Sequence, residues 1–266
     1  MPGRPGMRAA LAALAAAALL LPAAGGAQAA PAGPVVFADG HVDLAPRLVD
    51  GQWRLQARRD EGGAAAWHPL AGAVLTVPDS AKITTPGGQL SLLGPAGATA
   101  YLLPQTQARG VVWPGWTTEE VSGQIRGPVD WVFEEVTGPG RFALFTSDAF
   151  GRPTVLVDPD RPLPQTVRVP QATHAHANWA FTAPGGYRIR MSMAAGLTSG
   201  ARVRDEQTLA VAVGDGVDPA AVTAPAPPDR TPEPAGGAFA VWLGVAVAAI
   251  ALGALLIVLV RRRKRC

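Results

Sequence analysis

The feature that most restricts the fold of this chain is a period-two alternation of side chains, repeated in short runs between Gly, Pro and Asp turns. Trp53-Arg54-Leu55-Gln56-Ala57-Arg58 and Tyr187-Arg188-Ile189-Arg190-Met191 alternate apolar with polar residues, the pattern of a strand with one buried and one wet face. Leu209-Ala210-Val211-Ala212-Val213 alternates large with small apolar residues, which suits a strand covered on both faces. Shorter runs at 73–77, 111–113, 129–133, 142–145 and 154–157 read as further strands. No segment carries a sustained helical stripe, and 110–127 holds too many breakers for one. Strands spaced by Gly and Pro turns predict an all-β domain, an antiparallel β-sandwich over residues 30–216.

The composition allows such a core. Hydrophobic residues make up 48% of the 266 and charged residues only 16%, which excludes a long disordered polyelectrolyte. The one cysteine is Cys266, so no internal disulfide, Cys-based metal site or cysteine nucleophile is expected.

The two ends carry a different signal. Residues 1–29 have the parts of a secretory signal peptide: Arg4 and Arg8, an apolar stretch over 9–21, and Ala27-Gln28-Ala29 as a small-x-small cleavage site. Residues 238–260 contain no charge and run into Arg261-Arg262-Arg263-Lys264-Arg265, the pattern of a transmembrane helix with a cytoplasmic basic tail over 261–266. Between them and the domain, 217–237 is Pro-rich and reads as an extended spacer reaching up to roughly 60 Å. The expectation is a type I, single-pass protein of the cell membrane with its bulk extracellular. The formal net charge of +3 fits this topology. Without the seven basic residues at the two ends, the intervening segment is net −4, so no nucleic-acid partner is expected.

Chemistry concentrates in the four histidines, three of which fall in two motifs. In Gly40-His41-Val42-Asp43-Leu44 a strand puts His41 and Asp43 on one face. In His174-Ala175-His176-Ala177-Asn178-Trp179-Ala180-Phe181 a strand puts His174, His176 and Asn178 on one face and the aromatic residues on the core side. A His-x-His pair offers two imidazoles to one metal ion, and a carboxylate completes the set. His174, His176, His41 and Asp43 are therefore the candidate ligands if the two strands lie side by side, with Asn178 at the rim or behind them. Ordinary hydrogen-bonded histidines fixing a loop are the alternative, and His68 reads as structural.

Trp113-Pro114-Gly115-Trp116 reads as a loop whose Trp113 and Trp116 either meet a glycan or protein partner or pack over the end of the sandwich. Trp53, Trp131 and Trp179 sit in strand-like runs and read as core. Catalysis finds little support: the chain lacks a Gly-x-Ser-x-Gly elbow, a phosphate loop and a His-Glu-x-x-His motif. Glu119-Glu120 and Glu134-Glu135 are adjacent pairs whose members point to opposite faces of a strand. A cell-envelope hydrolase is the remote alternative to a binding protein.

These motifs resemble a known family. Gly40-His41-Val42-Asp43, the run from Leu93-Gly94-Pro95 to Leu102-Leu103-Pro104-Gln105, Trp113-Pro114-Gly115-Trp116, Gly138-Pro139-Gly140-Arg141-Phe142, the 174–181 segment and Pro184-Gly185-Gly186-Tyr187 are similar in order to the actinobacterial surface-anchored repeat domain, also called the choice-of-anchor M domain. The resemblance implies a cell-surface protein encoded near an ABC transporter of the zinc/manganese type. It thus implies an accessory role in metal uptake, with Zn or Mn as the bound ion and transporter components as partners. It supplies no catalytic residues. Cell-wall glycan or protein recognition, and a purely structural surface role, are the other readings.

Overall fold

The computed structural model describes residues 33–61 and 64–223. The signal peptide, the 238–260 span, the basic tail and residues 224–237 of the spacer lie outside the described residues. Among the described residues no helix is long and apolar enough to cross a membrane.

The alternating runs form strands. In chain order they are β1 (Val35–Phe37), β2 (Gly40–Val49), β3 (Gln52–Glu61), β4 (Ala64–Pro69), β5 (Ala73–Val77), β6 (Lys82–Thr84), β7 (Thr99–Leu103) and β8 (Val112–Thr117). There follow β9 (Ile125–Thr137), β10 (Phe142–Ser147), β11 (Pro153–Val157), β12 (Gln165–Val169), β13 (His174–His176), β14 (Asn178–Phe181), β15 (Gly185–Leu197) and β16 (Arg202–Val213). Short 3-10 turns and one four-residue helix, α1 (Pro219–Val222), complete the described elements. The all-β reading holds.

The strands make three sheets, ordered β1-β5-β16-β15-β9-β12, β11-β10-β14-β7-β6 and β13-β8-β2-β3-β4. Most pairs are antiparallel, as short hairpins require. Three are parallel: β1 with β5, β5 with β16, and β2 with β8. In the last two, long excursions of chain separate the partners and free their relative direction, which the expectation of a purely antiparallel sandwich did not include.

A tight turn fixes the register that matters most. Asp50 and Gly51 both have positive φ, 50° and 76°, the conformation of the two-residue hairpin turn that Asp-Gly favours. Val49 then pairs Gln52, and Asp43 pairs Arg58. Opposite residues in such a hairpin share a face, so the outward residues of β2 and β3 meet while Val42, Leu44, Leu55 and Ala57 turn into the core.

The main core joins all three sheets. Trp131, Trp179, Phe133, Phe181 and Tyr187 are fully buried within it, and their rings pack edge-on or tilted. Trp53 is buried as expected and donates its indole N–H to the Met193 carbonyl at 2.9 Å. The buried Asp205 carboxylate accepts the Leu55 backbone N–H at 2.8 Å. These bonds tie the β2–β3 sheet to the β15–β16 sheet.

Two local expectations change. The folded body extends past 216: Asp218 caps α1 by accepting the Ala220 N–H, and Val222 is buried beside Val74, Ala210 and Ala212. A Cβ at Gly186 would lie 2.2 Å from a Val222 methyl, so this glycine makes the room. Glu134 and Glu135 also do not point to opposite faces. A bulge between β9 and β15 at this point lets Glu134 meet Arg204 and Ser192 while Glu135 meets Arg190 on the same outer surface.

Candidate metal centre

The outer face of the third sheet gathers the candidate ligands by register alone. Asp43 on β2 pairs Gly115 on β8, and Gly115 pairs His176 on β13. One row therefore runs His176, Gly115, Asp43, Arg58 across four strands. In the neighbouring rows His41 pairs Trp113, and His174 pairs Thr117. The two histidine motifs thus do not lie on adjacent strands, because β8 runs between them. Gly115 is what lets them meet. A Cβ there would lie 2.6 Å from Asp43 Oδ1, 2.6 Å from His176 Cε1 and 2.7 Å from the Ala175 carbonyl oxygen.

Over that gap the predicted ligands converge. His41 Nε2 is 3.1 Å from Asp43 Oδ1 and 3.3 Å from His174 Nε2. His174 Nε2 is 3.1 Å from Asp43 Oδ2, and His176 Nε2 is 4.0 Å from Asp43 Oδ1. One ligand atom from each of the four residues lies within 4.8 Å of the other three, so the group could hold a metal ion. Nitrogen ligands about 2.0–2.1 Å from a tetrahedral zinc stand about 3.3 Å apart, close to the contacts among His41, His174 and Asp43, while His176 at 4.0 Å has to move inward to join them.

The electrostatics match. Asp43 is fully buried and its Oδ2 makes no hydrogen bond, a costly arrangement for a carboxylate unless cations surround it. Arg58 Nη1 at 3.7 Å is one such charge. Burial pushes the His176 imidazole below the ordinary histidine value, with the Asp43 carboxylate pulling the other way and His41 and His174 adding smaller downward effects. A neutral imidazole is the form that binds metal. The His174 side chain is 35% exposed and that of His176 is 10% exposed, so the cluster has a buried floor and an open rim.

The tryptophan motif belongs to this centre rather than to a loop. All four of its residues lie in β8. Trp116 faces the core and packs on Trp131 at 5.4 Å, so it presents no surface to a partner. Trp113 stacks on the His176 ring at 3.7 Å and 10°, and its Nε1–H donates to the Gln105 carbonyl at 2.8 Å. It walls the centre.

Asn178 is not at the rim. The chain passes from one sheet to another at Ala177, so β13 and β14 are separate strands. Asn178 Oδ1 accepts the Gln105 N–H at 2.9 Å and its amide donates to Ser147 Oγ at 3.2 Å. It holds the Gln105 loop that in turn holds Trp113. His68 packs its ring edge-on to Phe37, in keeping with a structural role.

The sequence reading missed Gly115, Arg58 and Asp60. Asp60 Oδ2 lies 3.9 Å from His41 Nδ1, and its Oδ1 is 3.1 Å from Arg58 Nη2. The Asp50-Gly51 turn is the signal that would have found the last two: continuing its register puts Arg58 beside Asp43 and Asp60 beside His41. No family model, no curated protein and no solved structure matches this chain.

Proposed function

We propose that this chain is a membrane-anchored extracellular metal-binding protein whose ligands are His41, Asp43, His174 and His176. The convergence of three imidazole nitrogens on one buried carboxylate over the Gly115 gap is the observation that supports it. Three neutral imidazoles with one carboxylate suit Zn2+ better than Mn2+, which favours oxygen-rich sites. The signal-peptide and membrane-span patterns support an extracellular setting. The resemblance to the surface-anchored repeat family supports a role beside an ABC-type metal uptake system. In that role the partly exposed His174 gives the ion a way in and out, and the protein captures and hands over its cargo without chemical conversion.

The test is a zinc titration of the purified full chain in detergent. One equivalent binds at pH 7.5, and Zn2+ displaces Mn2+. Affinity falls on acidification, because protons compete for the ligand nitrogens. His176, lowered by burial, is protonated at a lower pH than an ordinary histidine. Absence of saturable binding at pH 7.5, or binding indifferent to acid, refutes the proposal.

A further inference from the structure

Asp60 and Arg58 form a second layer behind the four ligands. On β3 they occupy alternate positions on the face that carries the centre, opposite the two ligands of β2. Asp60 Oδ2 faces His41 Nδ1 at 3.9 Å, longer than a hydrogen bond but closed by a small side-chain rotation, while His41 Nε2 faces Asp43 and His174. A carboxylate on the far nitrogen of a metal-binding imidazole holds the proton there, leaves the near nitrogen as the lone-pair donor and fixes the ring plane. Arg58 keeps that carboxylate in place through its 3.1 Å contact with Asp60 Oδ1, and its other nitrogen reaches toward Asp43. His41 lacks the close ring clamp that holds His176. His176 is clamped by Trp113 stacking, whereas His41 meets Trp113 only at 5.1 Å with a 42° tilt.

We propose that Asp60, anchored by Arg58, is a positioning residue that fixes the tautomer and orientation of His41 and so sets the affinity of the centre for a divalent cation. This rests on the metal-binding reading of the same site. Asp60 itself does not bind the ion: its contact is with Nδ1, the nitrogen turned away from the cluster. Its side chain is 54% exposed, so its replacement leaves the core intact.

The experiment measures Zn2+ affinity by competition with a chromophoric chelator for the full chain in detergent, for Asp60→Asn, for Asp60→Glu and for Asp39→Asn. Asp39 is an exposed carboxylate at the same end of β2 that pairs with Arg59 and not with a histidine, so it controls for the loss of one negative charge. Asp60→Asn weakens zinc binding about 10- to 100-fold and shifts the visible d–d bands of bound Co2+. Asp60→Glu recovers most of the affinity, and Asp39→Asn changes it less than about threefold, as a screened surface charge does. Equal weakening by Asp39→Asn and Asp60→Asn, or wild-type affinity in Asp60→Asn, overturns the inference and leaves the metal site standing. If the unaltered chain takes up no zinc, the metal-binding reading falls instead, and this inference with it.

Discussion

Gly115→Ala abolishes tight metal binding while leaving the β-fold in place. The added methyl would sit 2.6 Å from both Asp43 Oδ1 and His176 Cε1, and 2.7 Å from the Ala175 carbonyl oxygen. Ordinary contact needs close to 1 Å more. The carboxylate is fully buried and cannot swing into solvent. The neighbour that yields is β13, a three-residue strand at the edge of its sheet, paired there only with β8. When β13 moves, both its histidines move with it. Metal sites tolerate ligand displacements of about 0.2 Å, so affinity falls at least about 100-fold, or roughly 2.7 kcal/mol. The overpacking itself costs about 1–3 kcal/mol of fold stability. Gly115 lacks a positive φ, so alanine fits its backbone and the effect is steric. Gly216→Ala, where a Cβ meets nothing within 4 Å, is the matched control and binds normally. Zinc affinity measured on the two variants decides it: equal affinities show that the gap over Gly115 is not the site.

Zinc also stabilises the fold, and Asp43→Asn removes that effect. A ligand that binds only the folded state, supplied at about 1,000 times its dissociation constant, adds about 4.1 kcal/mol. For a domain of this size each kcal/mol raises the melting temperature by about 2–4 °C, so saturating zinc raises it by roughly 8–16 °C. The rise comes from cross-bracing, because the ion ties β13 to β2 across β8, two strands that do not pair with each other. Asn keeps the shape of Asp43 but removes the only negative charge among the four ligands. Without that charge zinc binds more weakly, and a roughly 1,000-fold rise in the dissociation constant at the same zinc concentration cuts the stabilisation from about 4.1 to about 0.4 kcal/mol. Thermal unfolding followed by near-ultraviolet circular dichroism, with and without zinc, gives the comparison. A rise of equal size in both proteins places the ion elsewhere.

The legible part of the structure was local. Alternation in 53–58, 187–191 and 209–213 located β3, β15 and β16, because a half-buried strand writes its two faces into successive residues. The same parity puts His41 with Asp43 and His174 with His176, so the four residues of the cluster are legible as candidates strand by strand. What joins them was not legible. Asp43 meets His174 across 131 positions of chain through β8, and no local pattern encodes which strand lies between two others. Gly115 sits inside the Trp-Pro-Gly-Trp run, which reads as a loop from sequence. Its meaning, space for two side chains from neighbouring strands, exists only once β2 and β13 flank β8. The sheet change at Ala177 was equally silent, because alternation continues through 174–181 while the hydrogen-bonding partner switches. That switch is why Asn178 left the histidine face. Arg58 and Asp60 stood between these cases, since the Asp50-Gly51 turn fixes their register from sequence.

The most direct test is X-ray absorption at the zinc K-edge of the full chain loaded with one equivalent, alongside the His174→Ala/His176→Ala variant. The expected spectrum of the unaltered chain has a four-atom shell of nitrogen and oxygen at about 2.0–2.1 Å, no sulfur, and outer-shell scattering from three imidazole rings. In the variant the imidazole scattering drops to that of a single ring or the zinc is lost. A six-coordinate oxygen shell in the unaltered chain, or one spectrum shared by both proteins, would contradict the assignment of His41, Asp43, His174 and His176 as the metal ligands.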